Sequence, residues 1–126
     1  MDKKVIEAVA EAIVRTSGYW NADNPIYDAR NPGGLLAFSP TQSRDDNGYR
    51  VFASALDGMQ ALMYDVQLKL SGKSRARLKP EQTFADFAAA CGLPNAAVNW
   101  AAFLRKALHD STINPKTPIS HFLGEQ

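Results

Sequence analysis

The chain has 126 residues, of which 45% are hydrophobic and 21% charged, the size and balance of a single globular domain spanning residues 1–126. With 14 Lys and Arg against 13 Asp and Glu, the formal net charge of +1 gives no long-range field for nucleic acid or a membrane surface, and no nucleic-acid partner is expected. The one cysteine, Cys91, excludes an intramolecular disulfide and a thiolate zinc site, and neither a metal nor another cofactor is expected.

From residue 5 to about 16, Val5, Ile6, Val9, Ala12 and Ile13 recur at spacings of three and four, while Glu7, Glu11 and Arg15 fall elsewhere; this predicts an amphipathic helix stopped by Gly18. Glu7 and Glu11 also interrupt the apolar core that a secretory leader needs, and no apolar run approaches the roughly 20 residues of a membrane helix. The expectation is a soluble chain, cytoplasmic when made, with no membrane span.

Residues 19–25, Tyr-Trp-Asn-Ala-Asp-Asn-Pro, read as a structured loop, and Arg30-Asn-Pro-Gly-Gly-Leu35 contains a turn in which Pro32 fixes one backbone angle and Gly33 supplies another. Residues 35–38 and 49–53 are short and rich in aromatic and branched side chains, which predicts a small two-stranded hairpin around the polar segment 39–48. Ser54 is placed to cap a helix running to Gly72 with Leu56, Met59, Leu62, Met63, Val66 and Leu70 inward.

Five basic residues, Lys69, Lys73, Arg75, Arg77 and Lys79, follow with no acid among them, leaving nine basic against thirteen acidic residues elsewhere. A solvated linker is the plainer reading, with contact to the phosphate of nucleic acid or of wall polymers as the other; no aromatic ring is interleaved to stack on bases. Thr83 and Asp86 form a capping pattern for a helix through Cys91, a small apolar side chain with nothing nearby in sequence to activate it. Asn95 then opens a helix to about His109 with Val98, Phe103, Leu104, Ala107 and Leu108 inward, and Thr117-Pro118 predicts one short turn over residues 119–123. The fold class is therefore mainly α, with four main helices and a small hairpin.

His109 and His121 have no partner at zinc spacing, and no nucleophile elbow or phosphate-binding glycine loop occurs. The segment 19–35 is instead dense in amides, carboxylates and aromatic rings, the side chains that bind sugars, although its Asn-Pro-Gly is equally a turn sequence.

The order helix, Arg15-Thr-Ser-Gly-Tyr19, Arg30-Asn-Pro-Gly-Gly-Leu35, then Tyr49-Arg-Val-Phe-Ala-Ser-Ala-Leu-Asp-Gly58 and a helix resembles a lysozyme-like, peptidoglycan-directed family of phage and bacterial proteins. That family typically reads Ala-Arg-Xaa-Glu-Gly-aromatic, Asn-Asn-Pro-Gly-Asn-Leu and Phe-Xaa-Xaa-Phe-Xaa-Thr-Xaa-Glu-Xaa-Gly. The likeness is clearest over residues 13–70 and looser over 83–123. It implies a lysozyme-like fold, a glycan groove between the first helix, the Asn31 turn and the small sheet, and a muramidase or lytic transglycosylase whose general acid is the glutamate at the end of the first helix.

That position is Ser17 here, and a hydroxyl lies far too high in pKa to protonate a leaving sugar oxygen. The resemblance thus implies a disabled or very weak enzyme that binds peptidoglycan glycan strands or a protein partner, with Tyr19, Trp20, Asn31 and Phe52 at the groove and Ser17 at its base. Two alternatives stand beside it. One is an active muramidase or transglycosylase in which Asp23 or Asp28 supplies the acid, or an inactivated form in which Ser17 has replaced the glutamate. The other is a protein-binding scaffold with no glycan affinity. Reaching a wall would require delivery by a virion or another route that needs no signal peptide.

Overall fold

The computed structural model describes residues 2–37, 39 and 41–123. Five α-helices are present among them: α1 (Lys3–Ser17), α2 (Pro25–Asp28), α3 (Ala55–Leu70), α4 (Phe84–Ala90) and α5 (Ala97–Ala107), with 3-10 turns at Pro94–Ala96 and Ile119–Phe122. The protein is mainly helical, as its spacing predicts. No helix among the described residues is long and apolar enough to cross a membrane.

Helix α1 starts where the Asp2 carboxylate accepts from the Lys4 N–H at 2.8 Å and ends at Gly18, whose φ of 77° is the left-handed cap that glycine adopts without strain. It buries Ile6, Ala8, Val9, Ala10, Ala12, Ile13 and Val14, a wider band than one amphipathic stripe, because it packs against both α3 and α5. Its last turn is fastened to α5 by the buried Trp100, whose Nε1 donates to Thr16 Oγ1 at 2.6 Å.

The Ser54 hydroxyl caps α3 by accepting from the Asp57 N–H at 3.1 Å, and the helix buries Gly58, Leu62, Val66 and Leu70, one line at spacing four. The inward face expected of this helix is narrower than its periodicity suggests: Leu56 is exposed, and Met59 and Met63 are only half-buried. Thr83 and Asp86 form the reciprocal capping box at the start of α4. Its Phe84 and Phe87 stack with centroids 5.6 Å apart and meet Trp100 edge-on at 6.4 and 6.2 Å, while Phe122 of the final turn lies 5.2 Å from Phe84.

The expected start of α5 at Asn95 is corrected: Pro94–Ala96 is a 3-10 turn and the helix proper begins at Ala97 without a side-chain cap. Its buried face is Ala97, Trp100, Ala101 and Leu104, so Val98, expected inside, is exposed. The large indole decides which face turns inward, since it carries the most apolar area on the helix. Thr117 likewise does not cap the last turn; its hydroxyl accepts from the Asn114 N–H at 2.9 Å.

The expected hairpin reduces to isolated antiparallel bridges, Leu36 with Tyr49 and Arg44 with Arg50, and Phe38 lies outside the described residues. The intervening chain spends its backbone groups on turns instead: Asp45 Oδ1 accepts from the N–H groups of Asn47 and Tyr49 at 2.9 and 3.0 Å. Leu36 and Val51 stay exposed, so no apolar face forms to pin a strand register.

The Arg30-to-Leu35 turn also differs from expectation. The left-handed residues are Arg30 (φ 53°) and Gly34 (φ 63°), not Gly33. Gly33 leaves room for Leu62, whose side chain would have to shift to admit a Cβ there.

Candidate functional site at the end of the first helix

Ser17 occupies the last turn of α1, half-buried. Its hydroxyl donates to the Val14 carbonyl at 2.9 Å and accepts from the Tyr19 N–H at 3.2 Å, so it is folded back on its own helix. Its carbonyl accepts from Asn24 Nδ2 at 3.4 Å, while Asn24 Oδ1 accepts from the Ile26 N–H at 3.1 Å and starts α2. One amide thereby links the end of α1 to the beginning of α2. Helix α2 is absent from the sequence expectation, although Asn24 followed by Pro25 is the signature of a helix start.

This link brings three aromatic rings together. Tyr19 is buried; Trp20 meets it edge-on at 5.0 Å with 72° between the planes, and Tyr27 of α2 lies 5.8 Å away, tilted by 39°. Trp20 is 76% exposed and Tyr27 43%. Tyr19 therefore belongs to the core and supports two rings that face outward, an arrangement able to stack on a flat apolar or sugar surface. Tyr27 was not singled out from the sequence; its position three residues after the Asn24 cap is the signal that places it on the same short helix.

Asn31 does not face outward. It is completely buried, and its side chain donates to the carbonyls of Leu35 (2.8 Å) and Arg50 (3.0 Å) and accepts from the Leu35 N–H at 2.9 Å. Its expected place along a glycan groove is corrected to an internal one: all its hydrogen-bonding atoms are committed to backbone, and it ties the 31–35 turn to residue 50. Phe52 stands at the same junction, where its N–H donates to the Ala29 carbonyl at 2.9 Å; its ring is half-buried, with the Arg50 guanidinium 4.7 Å above it.

Asp23 and Asp28 are both exposed. The Asp23 N–H donates to Asn21 Oδ1 within a turn, and Asp28 ends α2. Neither is enclosed by apolar side chains of the kind that tune a catalytic acid. The structure thus gathers Ser17, Tyr19, Trp20 and Tyr27, links them through α2 and Ala29 to Asn31 and Phe52, and leaves the two aspartates on the rim.

Two clefts lie elsewhere. One of about 390 Å³ runs between α1 and α3 beside Ile6, Met63 and Tyr64. The other, about 210 Å³, is lined by Asp2, Val5, Leu108, Asp110, Ile113, His121 and Phe122. In it His121 Nε2 is 2.7 Å from Asp110 Oδ2, and the Thr112 hydroxyl, His121 and the Thr112 N–H together hold the Asp110 carboxyl down at about 2. Among the described residues no three potential ligands group around a metal position.

Folding also gives Cys91 a neighbour its sequence surroundings lack: Lys69 Nζ lies 3.8 Å from its sulfur and 2.7 Å from Asp65 Oδ2. Burial pushes the thiol up to about 11 despite that ammonium, so the group is a protonated, inert side chain at neutral pH. In comparisons with known protein families, characterised proteins and solved structures, none matches this chain.

Proposed function

We propose that the chain is a lysozyme-like, peptidoglycan-directed domain that binds glycan without working catalysis, using the outward rings of Trp20 and Tyr27 beside a disarmed position 17. The observation that carries this reading is the conjunction of those two exposed rings with Ser17, whose short hydroxyl is occupied by its own helix. A stacking surface survives there, and the side chain that would act on a bound sugar does not. Two features of the turn support the family resemblance. Arg30 and Gly34 are both left-handed, and they stand where the family pattern carries asparagine, the non-glycine residue that adopts this region most readily. The amide retained between them, Asn31, is the one whose three backbone bonds build the turn.

The test is Ser17→Glu, assayed beside the unsubstituted chain for binding and cleavage of purified peptidoglycan. Cleavage by the substituted form alone is the expected result. Cleavage by both would transfer the acid to Asp23 or Asp28. Loss of binding on Trp20→Ala is expected to accompany it. Absence of glycan binding by the unsubstituted chain would leave the protein-binding scaffold, for which an exposed tryptophan is also suited.

A further inference from the structure

The segment joining α3 to α4 carries Lys73, Arg75, Arg77 and Lys79, all exposed, within seven residues. No acid lies between Asp65 and Glu81, and without these four cations the chain has ten basic against thirteen acidic residues. A near-neutral molecule is therefore strongly divided in charge. Among the described residues the ion pairs involve Lys3, Arg15, Lys69 and His121, so Lys73, Arg77 and Lys79 carry no carboxylate partner. Lys69, grouped with them by sequence, belongs instead to α3 and to Asp65.

The segment is built rather than slack. The Lys73 N–H donates to the Leu68 carbonyl at 2.9 Å, the Arg77 N–H to the Ser74 carbonyl at 3.1 Å, and the Lys79 N–H to Gln82 Oε1 at 2.8 Å. Leu78 is buried between two exposed cations, and its carbonyl approaches Gly72 closely enough that a Cβ there would lie 2.8 Å away. Arg77 is held at φ 49°, a left-handed conformation that an arginine side chain disfavours and that glycine would adopt freely. Four like charges are thus kept together on a fixed backbone, which reduces the ordering cost of binding a polyanion.

We propose that residues 72–79 form a phosphate-binding surface for a phosphodiester-linked wall polymer of the poly(glycerol phosphate) type. Charge alone would recognise it, since no aromatic ring lies within the segment to stack on nucleobases, and such a polymer presents phosphates without bases. The choice of a wall polymer rests on the glycan-directed reading above; the phosphate surface itself rests on the geometry.

The experiment measures binding of the full chain to poly(glycerol phosphate), to phosphate-free peptidoglycan and to single-stranded DNA across a salt series. The unsubstituted chain is compared with Lys73→Gln/Arg77→Gln/Lys79→Gln and with Arg77→Gly. Binding to poly(glycerol phosphate) should weaken with salt, and the triple variant should lose about two units of the log–log slope and at least tenfold in affinity, from about 0.7 per phosphate contacted. Its binding to phosphate-free peptidoglycan should not change. Arg77→Gly should bind the polymer more weakly while melting no lower, which separates lost charge from lost folding. Failure to bind poly(glycerol phosphate), equal binding by the triple variant, or tighter binding to single-stranded DNA would overturn the proposal. Absence of binding to phosphate-free peptidoglycan, with polymer binding intact, would instead overturn the glycan reading.

Discussion

Asn31 shows how a residue can look like a ligand contact and be a joint. One buried amide serves three backbone groups: the N–H of Leu35 and the carbonyl of Arg50 depend on it, while the carbonyl of Leu35 also accepts from the Arg50 N–H at 2.9 Å. Asn31→Ala would leave the Leu35 N–H and the Arg50 carbonyl without this partner, at about 1–3 kcal/mol for each group left unsatisfied, so the expected loss in urea unfolding is about 2 kcal/mol or more. Asn31→Asp keeps the acceptor for Leu35 but points a carboxylate oxygen at two carbonyls, and should fare no better. A variant of similar stability to the parent would mean that this junction does not depend on the amide. Sequence reading singled out the right residue for another reason: amides bind both sugars and backbone, and only burial distinguishes the two. The outward tyrosine was missed because Tyr19 and Tyr27 are equivalent as letters; the packing of α2 against the end of α1 makes one core and the other surface.

Among elements, capping and periodicity made four helices legible at nearly their observed bounds, because Ser54, the Thr83–Asp86 box and Gly18 act through neighbours in the chain. The hairpin and the inward face of α5 were not legible, since both are decided by partners distant in sequence: a missing apolar face in one case, Trp100 finding Thr16 in the other. The docking of α3 on the 30–32 turn belongs to this scale too. A Cβ at Gly58 would overlap the Arg30 carbonyl oxygen and stand 2.7 Å from Pro32 Cδ, both parts of a tight turn with little room to yield. Gly58→Ala, ordinarily favourable in a helix, should therefore destabilise by at least the ~1–3 kcal/mol of an overpacked site. A melting temperature equal to or above the parent's would show that the two elements separate without cost.

At the scale of the whole molecule, the chain closes on itself where its described ends meet. Asp2 and Val5 of the first turn share a cleft with Asp110, His121 and Phe122 from the last third. The Asp110 carboxyl is lowered from 3.8 to about 2 by the Thr112 hydroxyl first, then by His121 and the Thr112 N–H. A folded-state value below the unfolded one contributes stability above pH 3.8, and that contribution is lost as pH falls from there through about 2. Thermal unfolding should show a fall in melting temperature over this window that is shallower in Asp110→Asn. Parallel pH profiles for the two proteins would mean that this carboxylate does not couple to folding.

The bond between Thr16 and Trp100 has a bearing on modularity. Ser17, the aromatic rings beside it and the Asn31 turn all lie before residue 72, yet the turn of helix bearing Ser17 is clamped by an indole from α5 that meets the stacked Phe84 and Phe87 edge-on. The half that holds the candidate site borrows its rigidity from the half that does not. Grafting the first seventy residues onto another scaffold would transplant the vocabulary of the site without the grammar that orients it.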